Sequence, residues 1–168
     1  MSKIYNIAVF GGGVVGGGCI KLLYNYDFIR VKYLCVKNIE KKRDFVIDSN
    51  TKVTDNVDEI LSNNEIDIYI ELIGDTIIAK KIIDYALSKN IHVITGNKKL
   101  ISENLTYYTS FLNSSESKLG IEASVCGGIP IIKTLLRDFS ELHIYSITGI
   151  LNGTTKDRKS TRLNSSHA

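Results

Sequence analysis

Apolar runs alternate with amphipathic stretches along most of the chain, and the alternation itself predicts the layout. Residues 4–10 are almost wholly apolar, the mark of a parallel strand covered on both faces. Eight residues rich in glycine follow (Gly11 to Gly18), and Ile20, Leu22 and Leu23 then predict a helix over about 15–26. A second strand is expected at 31–36. Residues 41–56 are polar and weakly patterned, which reads as a loop or short helix, and 57–61 as a brief helix. Residues 66–73 form another strongly apolar strand. Asp75 is placed to cap a helix over 76–89 with Ile78, Ile82, Ile83 and Leu87 inward. Strands at 91–95, 119–122 and 144–151, a helix over 105–112 capped by Ser102, and a helix from Pro130 to about 139 complete the pattern. Strands alternating with helices predict an α/β fold, a doubly wound parallel sheet.

Composition narrows the class without naming a chemistry. At 43% hydrophobic and 23% charged residues the chain reads as an ordinary water-soluble globular protein. No apolar run approaches the roughly 20 residues that cross a bilayer, and the N-terminus enters a strand directly, so a membrane partner is not expected and the cytoplasm is the expected compartment. The formal charge of +3 is concentrated in residues 156–168, where Lys156, Arg158, Lys159 and Arg162 face the single acid Asp157. Without that stretch acids and bases cancel, and a nucleic-acid partner loses its electrostatic support. The three cysteines, Cys19, Cys35 and Cys126, lack C-x-x-C spacing and read as reduced small apolar residues.

The tail from Asp157 to Ala168 has no hydrophobic periodicity and matches the conceptual translation of a widely used sequencing-library adapter. It is therefore read as an artefact, with Lys156 as the codon at the junction, and set aside from the fold.

Three glycines carry the first chemical motif. Gly11, Gly13 and Gly16 form G-x-G-x-x-G between an apolar strand and a helix, the context in which it signals dinucleotide binding of the Rossmann kind. The expected roles are a tight turn, close approach of backbone to a pyrophosphate, and close helix–strand packing. Free N–H groups at the helix start, at Val14 and Val15, would face the phosphates. Where the second strand ends, an acid would favour NAD and a basic residue would tolerate the extra phosphate of NADP. Here stand Lys37 and Asn38, with Lys41, Lys42 and Arg43 behind them and Glu40 the first acid, which leans towards NADP over NAD.

Further blocks follow in order: Glu71-Leu72-Ile73-Gly74-Asp75, Thr95-Gly96-Asn97-Lys98, Glu122 to Pro130, and Gly149 to Thr155. Together with the glycine run they closely resemble homoserine dehydrogenase, over essentially the whole chain to Thr155. Gly96 stands where the family commonly has Ala, and Asp75 where it commonly has Gly; neither change removes a reacting side chain. The resemblance implies NAD(P)-dependent interconversion of L-homoserine and L-aspartate 4-semialdehyde, a step towards threonine, methionine and isoleucine. It adds Gly74 to the cofactor-binding residues and places Lys98 where nicotinamide and substrate meet. The family uses a second, downstream lysine for acid–base work, so Lys98 is expected to position and polarise the substrate. Glu122, Val125, Gly127 and Ile129 resemble its loop for a monovalent cation such as sodium, while Cys126, His92 and His143 read as structural. The implied organisation is a nucleotide-binding domain over 1–125, the start of a catalytic, dimerising α+β domain over 126–155, and the tail from 156. The expected parent is a homodimer, and the chain alone is expected to be inactive. Two other readings remain open at this point: another two-domain NAD(P) oxidoreductase of small amino or hydroxy acids, and a nucleotide-sensing module without catalysis.

Overall fold

The computed structural model describes residues 3–112, 116–139, 141 and 143–146. Contacts divide the chain into two compact units, Met1–Ser124 and Val125–Ala168. The first holds six strands: β1 (Tyr5–Phe10), β2 (Ile29–Cys35), β3 (Lys52–Thr54), β4 (Ile68–Glu71), β5 (His92–Thr95) and β6 (Leu119–Gly120). All pair in parallel, in the order β3-β2-β1-β4-β5-β6. The chain thus winds outwards from β1 in one direction, returns, and winds outwards from β4 in the other. That is the doubly wound sheet the alternation predicts.

Strand alternation sends successive side chains to opposite faces and so makes two cores. Ile7, Val9, Val31, Leu34 and Ile70 pack with Ile20 of helix α1 (Val14–Leu23). Ala8, Phe10, Tyr69 and Val93 pack against α2 (Val57–Leu61), α3 (Thr76–Ser88) and α4 (Lys98–Leu112). Phe10 and Tyr69 meet edge to face at 5.3 Å between ring centres.

Several expectations shift for local reasons. Within 41–56 the chain makes the edge strand β3, too short at three residues to show a period, with Thr51 Oγ1 donating to Val31 O just before it (2.7 Å). Helix α1 stops at Leu23 because the amides of Asn25 and Tyr26 bond three residues back, to Leu22 O and Leu23 O. Asp75 does cap α3, its carboxylate accepting from the amides of Ile77 (2.8 Å) and Ile78 (2.9 Å). Ile82, Ile83 and Leu87 face inward as expected, but in the first turn Ala79 is enclosed while Ile78 lies 38% exposed.

Helix α4 begins seven residues earlier than expected. Its cap is Asn97, whose Oδ1 accepts from Leu100 N (3.0 Å), while Ser102 lies inside the helix and donates to Lys99 O. The helix kinks at Asn104 (φ −128°), where the side-chain amide donates to Leu100 O, four residues back. The predicted start at 105 is this kink.

In the second unit, Pro130 caps α5 (Ile131–Arg137), close to the predicted 130–139. Residues 143–146 form no strand, and Tyr145 is 96% exposed; a strand exists only through pairing, and these residues have no partner strand among those described. His143 is therefore exposed, outside any apolar strand. The rest of the predicted 144–151 strand, the Gly149–Thr155 block and the tail lie outside the described residues. No helix among the described residues is long and apolar enough to cross a membrane.

Candidate dinucleotide site

In an open parallel sheet, ligands bind beyond the carboxyl ends of the strands, where neighbouring strands send their connections to opposite faces. Here that point lies between β1 and β4. Strand β1 runs out at Gly11, whose φ of +105° only glycine adopts readily, and whose Cβ, were there one, would stand 2.6 Å from Leu72 O. Gly16 is bound more tightly: an added Cβ would fall 1.9 Å from Gly11 O. These two positions let α1 rise directly off the strand end. Gly13 between them is different. Nothing lies within 4 Å of the position its Cβ would take, although it is the residue that caps α1. Such open backbone at a helix N-terminus, followed by exposed Val14 and Val15, is what a pyrophosphate requires.

The opposite wall is a polar network. Glu71, at the end of β4 and fully buried, accepts from Ile73 N (2.6 Å) and from the Thr95 hydroxyl at the end of β5. Thr95 Oγ1 in turn accepts from Asn97 N (3.0 Å), and Asn97 Nδ2 donates to Ile73 O (3.0 Å). Ser124 Oγ closes the set on Thr95 O (2.8 Å). Burial pushes the Glu71 carboxyl above its ordinary value of 4.5, against the opposing hydrogen bonds from Thr95 and Ile73. The network fixes the two loops that carry Gly74 and Lys98. Gly74 is exposed, with open space around it, just before the cap of α3. Lys98 opens α4 and is exposed; Lys99 beside it stands 3.9 Å from Glu103.

Lys37 lies one residue beyond Val36, whose amide is held by Thr54 O (2.9 Å), and is exposed in the loop after β2. Gly11, Gly13, Val14, Val15, Gly16, Lys37, Gly74 and Lys98 thus all follow the carboxyl ends of β1, β2, β4 and β5. The four residues of the expected cation loop divide between the units: Glu122 opens a 3₁₀ turn at the end of the first, and Val125, Gly127 and Ile129 begin the second. Cys126 and Gly127 both have positive φ, 54° and 62°. Cys35 is buried, and burial pushes its thiol up to about 11, with Asp55 and Glu59 adding to the effect. His92 accepts Lys118 N at Nδ1 (3.2 Å) and so ties β5 to the segment entering β6, although its ring is exposed.

Glu71, Thr95 and Asn97 belong to motifs in the sequence that by themselves assign them no role. Asn97 ahead of a helical stretch was the available signal, since Asn is a favoured cap. A buried Glu inside an apolar strand was the other, since such a group must find donors.

Sheet order, switch point and glycine turn together define a dinucleotide-binding domain of the Rossmann class. The sequence profile of the family described as "Homoserine dehydrogenase, NAD binding domain" matches residues 11–120. The chain belongs to the homoserine dehydrogenase family. It is 30% identical over 162 residues to homoserine dehydrogenase of Bacillus subtilis and 34% identical over 162 residues to that of Neisseria gonorrhoeae, covering 91% of this chain and 37% of each relative. Among solved structures, the homoserine dehydrogenases of S. aureus (pH 7.5) and Thiobacillus denitrificans superpose with TM-scores of 0.67 and 0.73, at 31% and 27% identity. They cover 73% and 82% of this chain, and 34% of each of theirs. The chain therefore spans little more than a third of the length of these relatives.

Proposed function

We propose that this chain supplies the cofactor-binding part of a cytoplasmic, homodimeric enzyme that interconverts L-homoserine and L-aspartate 4-semialdehyde, with NADP preferred to NAD. The observation that carries the reading is open Gly13 between two glycines that tolerate no side chain, at the switch point of the sheet. When bound, the nicotinamide ring supplies the hydride acceptor or donor. Gly13 and the first amides of α1 hold the pyrophosphate; Lys37 serves the adenosine ribose and its phosphate. Gly74 leaves room beside the β4 loop, and Lys98, held at the head of α4 by the Asn97 cap, orients and polarises the substrate oxygen.

Two finer parts rest on the family likeness. The nucleotide-binding domain is taken as 1–125 and the start of the catalytic domain as 126–155. A monovalent cation is assigned to Glu122, Val125, Gly127 and Ile129, supported by the Gly-bearing turn, since hard cations take backbone oxygens. Titrating the chain with NADPH and with NADH, followed by nicotinamide fluorescence, is expected to show saturable binding of both, NADPH the tighter. Homoserine added with NADP is expected to produce no NADPH, because the chain spans about a third of its relatives. Absence of any nucleotide binding by a folded chain would overturn the reading.

A further inference from the structure

The loop after β2 is more closely built than its sequence suggests, and Arg43 is at its centre. One Nη of Arg43 donates to Ile39 O (3.2 Å) and Lys41 O (2.8 Å), and the other to Asn38 O (2.7 Å). Asn38 Oδ1 accepts from Lys41 N (3.1 Å), closing the turn from within. The guanidinium sits against the glycine run: a Cβ added at Gly12 would stand 3.2 Å from Arg43 Nε and 2.8 Å from Val36 Cγ1. Two residues on, Phe45 is 8% exposed and fills a second notch, where a Cβ at Gly17 would meet its ring at 2.6 Å. The loop is thus pinned to the start of α1 at two glycines that the dinucleotide fingerprint leaves unspecified.

We propose that Arg43 is a positioning residue for the adenosine 2′-phosphate, acting through the carbonyl groups of Asn38, Ile39 and Lys41 rather than by touching the phosphate. This rests on the NADP reading above. Left bare, three converging carbonyl oxygens would repel a phosphate beside them; gathered around a guanidinium, they are neutralised and turned inwards. The exposed Lys37, Lys41 and Lys42, none with an ion-pair partner among the described residues, are then the loop's outward charges. Three of Arg43's four Nη hydrogens are engaged by these carbonyls, and Nε is enclosed without an acceptor among the described residues, so the arginine has no two-pronged fork left to offer a phosphate. A lysine would keep the charge and lose the planar fork that spans three acceptors.

The test is Arg43→Lys in the full chain, titrated with NADPH and with NADH, and with melting followed by circular dichroism. The expected result is a loss of NADPH affinity of about tenfold with NADH affinity changed less than about twofold, so that the NADPH preference collapses. Retained NADH binding certifies the fold of the variant. An unchanged NADPH-to-NADH ratio in Arg43→Lys overturns the assignment while leaving the NADP reading intact. A wild-type chain that binds NADH as tightly as NADPH overturns the NADP reading, and the assignment with it.

Discussion

The two walls of the crevice are made in opposite ways. The β1–α1 wall is stereochemical: Gly11 and Gly16 hold it because no side chain fits between strand end and helix. The β4–β5 wall is chemical: Glu71, Thr95, Asn97 and Ser124 hold it through buried and partly buried hydrogen bonds. A wall set by excluded volume fails all at once under a single methyl group. A wall set by a polar network fails by degrees, and its strength varies with pH.

Gly16→Ala should therefore be the most damaging change. Its Cβ would fall 1.9 Å from a backbone oxygen that cannot yield without lifting α1 from the sheet, and a loss of about 3 kcal/mol or more is expected in chemical denaturation. If Gly16→Ala melts like the wild type, the steric account of this wall is wrong. Asn97→Ala removes both the α4 cap and the bond to Ile73 O, for an expected cost of about 2 kcal/mol. A Lys98 placed as before, with unaltered stability, would show that the network is ornamental.

Glu71 sharpens the contrast through pH. Its carboxyl is raised above 4.5 in the folded chain, so the folded state holds the proton more tightly than the unfolded one. That contribution to stability is fully present below the ordinary carboxylate value and is lost as pH rises through the raised one. Glu71→Gln, which stays neutral and can still accept from Ile73 N, is expected to flatten the fall in melting temperature over that range. A variant whose profile runs parallel to the wild type would remove Glu71 from the account.

How much of this was legible differs between the walls in the same way. Gly11, Gly13 and Gly16 leave a mark in the sequence because the constraint on each is local: a left-handed φ, an open face, a contact five residues back. Strands β1, β2, β4 and β5 and helices α1 and α3 were legible for a similar reason, through local apolar runs, helical period and a cap. Arg43 was visible only as one cation among four, because its significance lies in carbonyls that any residue carries and in a glycine far back in the chain. Strand β3 escaped because its three residues take their place from pairing with Tyr33, Leu34 and Cys35. The early start of α4 escaped because the cap lay inside a motif read only for chemistry.

The smallest effect on stability should come from Gly13→Ala, and it bears most directly on the central claim. The position has ordinary extended dihedrals (φ −80°, ψ −162°) and nothing within 4 Å, so the unliganded chain should lose less than about 1 kcal/mol, mainly the weaker cap. The same methyl group would stand where the pyrophosphate must approach the backbone. NADPH titration of Gly13→Ala is therefore expected to show affinity lowered by at least about tenfold in a chain that melts almost as the wild type does. NADPH bound as tightly by Gly13→Ala as by the wild type would contradict the dinucleotide site described here.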